Sequence, residues 1–151
     1  MKIRRAAREL ALDVLYESEI RGRLPLESLA KRKREGWVLA GTGDTGNGEA
    51  GEDPLPEVLE YVDALVAGVQ EHQADIDALI VKYADHWKID RMPVIDRNLV
   101  RMAVFELLWG PDVPVAVAIN EAVELAKSLS TDDSGRFVNG LLGRIVEEAV
   151  P

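Results

Sequence analysis

Two short stretches hold the side chains best suited to chemistry in this chain, and that chemistry is binding. Arg4, Arg5 and Arg8 stand close together near its start. On a helix, at about 100° per residue, the three fall within an arc of roughly 100°. Forked guanidinium donors grouped this way suit phosphate oxygens, and a helix N-terminus adds its own positive end. Tyr16 lies two turns further along, roughly in line with Arg5, where a ring could meet a base or a partner. The second stretch is Thr131-Asp132-Asp133-Ser134-Gly135-Arg136-Phe137, an acid pair, a base and an aromatic at one corner. Thr131, Asp132, Asp133 and Ser134 supply helix-capping oxygens, those of Asp133 and Ser134 can also read base edges, and Arg136 can meet a phosphate. Phe137 can stack on an unpaired base or pack against the preceding helix, and Tyr16 can equally be a boundary residue.

Charge is unevenly placed. The whole chain of 151 residues carries −9. Residues 1–34 hold ten Lys/Arg against five Asp/Glu, a net of +5 that leaves the remainder at −14. Such asymmetry marks a local anion-binding face on an acidic body, the alternative being a solvated helix surface with no partner.

Other chemistries find no support. With no cysteine there is no disulfide, thiolate zinc site or thiol catalysis. His72 and His86 have no partner at i+3 or i+4 that makes a ligand pair, so no metal site is expected and both read as partly exposed helix residues. No G-x-S-x-G is present, and Ser18, Ser28, Ser128, Ser130 and Ser134 sit on helices or caps. Gly41-Thr42-Gly43-Asp44-Thr45-Gly46 formally matches a dinucleotide fingerprint. However, Gly48, Gly51, Pro54 and Pro56 follow, so no helix starts where the phosphates would sit. The expectation is a protein that is no enzyme and needs no cofactor. No apolar run approaches the roughly 20 residues that span a bilayer, and no signal-peptide pattern opens the chain, so a cytoplasmic protein with no membrane role is expected.

Helices must position these residues. The first is expected at 4–20, with Ala7, Leu10, Ala11 and Val14 as its buried stripe and Arg21-Gly22 as its stop. That places Arg4, Arg5 and Arg8 away from the core. Pro25 suits the first turn of a second helix ending near Gly36 after Lys31-Arg32-Lys33-Arg34, a basic last turn that the helix dipole alone would favour. Residues 41–53 are glycine-rich and acidic, with no large apolar side chain, and predict a disordered loop. A third helix starts near Pro56 (Val58, Leu59, Val62, Leu65, Val66, Val69). A break near Glu71 to Ala74 is expected before a fourth carrying Ile76, Leu79, Ile80 and Tyr83. A fifth runs Val94–Trp109, and two more carry Ile119 to Leu129 and Phe137 to Ile145 around the corner. No alternating strand signal persists, so the fold class is all-α, a bundle of seven helices forming one domain.

The wording of the last two helices also resembles that of the NusB family of bacterial transcription antitermination factors. The resemblance rests on Ile119-Asn120-Glu121-Ala122, Leu125-Ala126-Lys127, Asp132-Asp133-Ser134 and Phe137-Val138-Asn139-Gly140, and extends from Arg4 to about Glu148. It implies two packed three-helix groups, with the Gly-rich segment as an insertion foreign to the family pattern. It implies binding of boxA RNA together with NusE, a small-subunit ribosomal protein, in a complex that loads onto RNA polymerase and suppresses termination in ribosomal RNA operons. Arg4, Arg5, Arg8 and Tyr16, with Asp133, Ser134, Arg136 and Phe137, would form the RNA surface, and Asp96 would look toward NusE. A homodimer is a further state known in the family. Two alternatives stand beside this reading. One is the RNA-binding domain that precedes some rRNA cytosine methyltransferases, which continue into a catalytic domain where this chain ends at Pro151. The other is a helical dimerisation module, which would not need Arg4, Arg5 and Arg8 on one arc.

Overall fold

The computed structural model describes residues 2–37, 54–84, 88–110 and 112–149; the glycine-rich segment 41–53 and His86 lie outside them. The described residues form six α-helices and one short 3-10 turn, with no strand. The helices are α1 (Lys2–Arg21), α2 (Pro25–Glu35), α3 (Pro56–Tyr83), α4 (Val94–Leu108), α5 (Val115–Leu129) and α6 (Asp132–Ala149). The expected all-α class stands, but the count of seven does not. The break anticipated at Glu71 to Ala74 is absent, and α3 is one helix of 28 residues. The reason is visible in phase. Val58, Val62, Leu65, Val66 and Val69 are buried, and so are Ile76 and Ile80. The step from Val69 to Ile76 is seven residues, close to two full turns, so the apolar stripe continues across Glu71-His72-Gln73-Ala74 without slipping to another face. That stretch contains neither Gly nor Pro to interrupt it.

The chain divides into two compact units, Met1–Gln70 and Glu71–Pro151. In the first, α1 packs on α2. α1 ends as expected at Arg21, where Gly22 takes φ 68°, a left-handed value that glycine adopts without a Cβ penalty. α2 opens with Pro25 in its first turn, and the Leu26 N–H, which has no partner inside the helix, donates to the Gln70 side chain at 2.8 Å. One buried guanidinium then joins the two helices. Arg32 of α2 pairs with Asp13 and, at 3.0 Å, with Glu17, both on α1. Ser18 is buried beside them in sequence and returns its hydroxyl to the Leu15 carbonyl at 2.8 Å.

In the second unit, α4, α5 and α6 pack against one another. Leu99, Met102, Leu142 and Ile145 are among its largest fully buried side chains. Arg101 of α4 holds the end portion of α3 through a two-pronged pair to Asp77, at 2.8 and 3.0 Å. Arg97 collects the carbonyls of Ile89, Asp90 and Met92, tying the 3-10 turn (Ile89–Arg91) to the start of α4. Burial first, and the Arg101 charge second, lower the Arg97 guanidinium from its ordinary value. His72 is half-buried, its ring stacked on Trp109 with centroids 4.1 Å apart and planes 5° from parallel.

Candidate nucleic-acid interface

The arginine arc of α1 divides into three different situations. Arg5 is exposed. Arg4 is half-buried, its guanidinium 5.1 Å from the centroid of the Tyr61 ring. Arg8 is only 2% exposed and lies 5.9 Å from the same ring. The expectation that all three lie off the buried stripe is therefore corrected at Arg8. The cause is the stripe itself. Ala7, Ala11, Val14, Leu15 and Ser18 are buried while Leu10 is only half-buried. At about 100° per residue this turns the buried face toward Leu15 and Ser18, and Arg8 falls inside it. Its long apolar stem can lie in such a face, with the cationic head on an aromatic ring. Tyr16 is half-buried, which leaves its ring partly accessible.

Tyr61 was not singled out by the sequence. It neighbours Val62 on α3 and reads as an ordinary boundary aromatic, since nothing local says that arginines of another helix will face it. Much of the remaining basic charge of the first unit is paired internally. Arg32 is buried between carboxylates, Lys33 meets Asp63 at 2.7 Å, and Lys31 meets Glu35 at 3.9 Å. The net positive charge of residues 1–34 thus overstates the cations available to a ligand.

The corner between α5 and α6 in the second unit is built differently from the simple caps expected. Of the capping oxygens expected from Thr131 to Ser134, that of Thr131 caps α6: its hydroxyl oxygen accepts the Ser134 backbone N–H at 3.0 Å. Ser134 is 7% exposed, and its hydroxyl donates to Asp96 Oδ2 at 2.7 Å. Asp96, expected to look toward a protein partner, is itself only 3% exposed. It sits in the first turn of α4, where the positive end of the helix favours a carboxylate. Neither residue is a surface contact in this structure. Gly135, buried in the first turn of α6, explains how closely α5 approaches: a Cβ there would stand 2.7 Å from Lys127 Cγ.

What the corner does present is Asp133, Arg136 and Phe137. Asp133 and Arg136 pair with each other across one turn, with side chains 85% and 75% exposed. An ion pair this exposed contributes little to stability and can exchange its partner for a phosphate at small cost. Phe137 is half-buried, one turn beyond the cap. The corner thus presents a cation, an acceptor and a half-buried aromatic beside a hydrogen-bonded base. Among the described residues no group of His, Asp and Glu is arranged to hold a metal ion, and no helix is long and apolar enough to cross a membrane.

Comparison with known proteins gives this geometry a context. A model of the NusB family matches residues 5–147, from Arg5 through the whole of the corner. The chain belongs to the NusB family. It is 52% identical over 149 residues to the transcription antitermination protein NusB of Salinispora tropica, covering 99% of this chain and 98% of that one. To the NusB of Thermobifida fusca it is 43% identical, covering 96% and 89%. Among solved structures, T. maritima NusB superposes with a TM-score of 0.78 at 34% identity, covering 98% of this chain and 93% of the other. A chain from the crystal structure of antitermination factors NusB and NusE in complex with dsRNA gives the same TM-score at 29% identity, covering 97% and 98%. The NusB-family fold therefore accounts for the all-helical architecture, and the match spans the two stretches singled out by their chemistry.

Proposed function

We propose that this chain is a transcription antitermination factor that binds boxA RNA together with NusE and joins the RNA polymerase antitermination complex on ribosomal RNA operons. The observation that carries this reading is the near full-length match to a chain of the solved NusB and NusE complex with dsRNA. The chain works by binding, in the cytoplasm, as a single RNA-binding domain of the NusB type. Arg4 and Arg5 meet phosphates, Tyr16 and Phe137 offer ring faces or edges to bases, and Asp133 and Arg136 exchange their mutual pair for RNA groups. Arg8 serves from inside, holding α1 rather than touching RNA.

The electrostatic part of this proposal has a direct measure. If Arg4 and Arg5 each neutralise one phosphate of a single strand, replacing both by alanine lowers the salt slope of log K by about 1.4. Titrations of labelled boxA RNA with NusE present, run across a series of salt concentrations, give that slope. An unchanged slope and affinity in the Arg4→Ala/Arg5→Ala variant removes α1 from the RNA surface. Arg8 is left intact in this test because its loss would disturb the core.

A further inference from the structure

At the corner, one hydroxyl is shared by three groups. Ser134 Oγ lies 3.0 Å from Ser130 Oγ, 3.1 Å from Thr131 Oγ1 and 2.7 Å from Asp96 Oδ2, while the Ser134 N–H donates to Thr131 Oγ1 at 3.0 Å. A serine hydroxyl has one proton and two lone pairs. The carboxylate can only accept, so that proton goes to Asp96. Thr131 and Ser130 must then donate to the two lone pairs, which fills the capacity of the oxygen. The direction of all three hydroxyls follows from the carboxylate of Asp96. That carboxylate is rooted in the first turn of α4, so one buried charge fixes the N-termini of two helices.

We infer that Asp96 is a positioning residue for the RNA-binding corner, acting through Ser134 to hold Asp133, Arg136 and Phe137 in register. This rests on the RNA-binding function proposed above. The geometry separates it from a direct partner contact, because Asp96 is 3% exposed and accepts a buried hydrogen bond from Ser134. Loss of the bond leaves the first turn of α6 held by the Thr131 cap alone. The side chains it carries must then be ordered by the ligand at the moment of binding, which lowers affinity.

The test is a double-mutant cycle on the full chain. Asp96→Ala and Ser134→Ala are each expected to weaken labelled boxA RNA, titrated in the presence of NusE, by about five- to tenfold. The double variant is expected to be no weaker than the worse single one, because the two residues act as a unit. Asp96→Asn, which keeps an acceptor oxygen for the Ser134 proton, is expected to retain most of the affinity. Binding of NusE without RNA is expected to stay unchanged in all of them. Additive losses, or a fall in RNA-free NusE affinity on Asp96→Ala, would overturn the proposal and make Asp96 a direct contact. Amide hydrogen exchange supplies a readout independent of RNA. Exchange at residues 134–138 is expected to accelerate in Asp96→Ala and Ser134→Ala, with α1 unaffected; equal protection of the corner in parent and variants overturns the inference. A parent that binds no boxA RNA, with exchange still coupled from Asp96 to the corner, would instead refute the proposed function and leave the lock standing.

Discussion

Replacing Arg32 by alanine is expected to cost about 3–5 kcal/mol of folding stability, the largest single loss anywhere in the first unit. Its side chain is 8% exposed, and the two carboxylates it meets, Asp13 and Glu17, are 13% and 20% exposed. Removing the guanidinium takes away the cation that lies between two carboxylates in a poorly solvated space. Urea denaturation of parent and variant measures the loss. Adding Asp13→Asn and Glu17→Gln to Arg32→Ala is expected to recover part of it, since neutral amides no longer repel one another. A loss below about 1 kcal/mol would mean that water reaches the trio and that the helices are joined by apolar packing instead. The effect bears on the proposed function because α1, which carries Arg4 and Arg5 at its start, is joined to α2 through Asp13 and Glu17.

The second large effect is on binding. Phe137→Ala is expected to weaken boxA RNA binding in the presence of NusE by roughly tenfold or more, about 1.4 kcal/mol per factor of ten. The half-buried ring lies on a turn that is already anchored without it: Thr131 caps the helix and Ser134 bonds to Asp96. Its removal should therefore cost well under the ~3–5 kcal/mol typical of a fully buried phenylalanine. Melting temperature and RNA titration on the same preparation separate the two roles. A large drop in melting temperature with unchanged affinity for the folded fraction would make Phe137 a core residue and leave Arg136 as the working side chain of the corner.

Helix positions were largely legible because each start or stop has a local cause. Pro25, Gly22 and the Thr131 corner act through backbone geometry and capping, which a sequence displays directly. The break expected in α3 fell where Glu71, His72 and Gln73 interrupt the apolar run, although the stripe on either side keeps its phase. Burial of individual charged residues was not legible for a different reason. Arg32 has the same side chain as exposed Arg5, and only the distant partners Asp13 and Glu17 distinguish it, while Arg8 is set apart by a stripe that extends to Leu15 and Ser18. Asp96 was placed toward NusE by the family resemblance alone, and the hydroxyl it bonds to lies 38 residues away in the chain. The corner itself was found from its composition, yet the division of labour within it was not. Thr131 proved to be the cap and Ser134 the anchor, while Asp133 and Arg136 stay exposed and Phe137 half-buried.

The central claim is RNA recognition shared with a protein partner, and one titration tests it most directly. Labelled boxA RNA is titrated with this chain, with NusE, and with both together, beside a scrambled RNA of equal length and composition. The expected result is a salt-sensitive complex that is tightest with both proteins and at least tenfold weaker on the scrambled strand. Equal affinity for the two RNAs, or no gain when the second protein is added, would contradict the assignment of this chain as a boxA-binding partner of NusE.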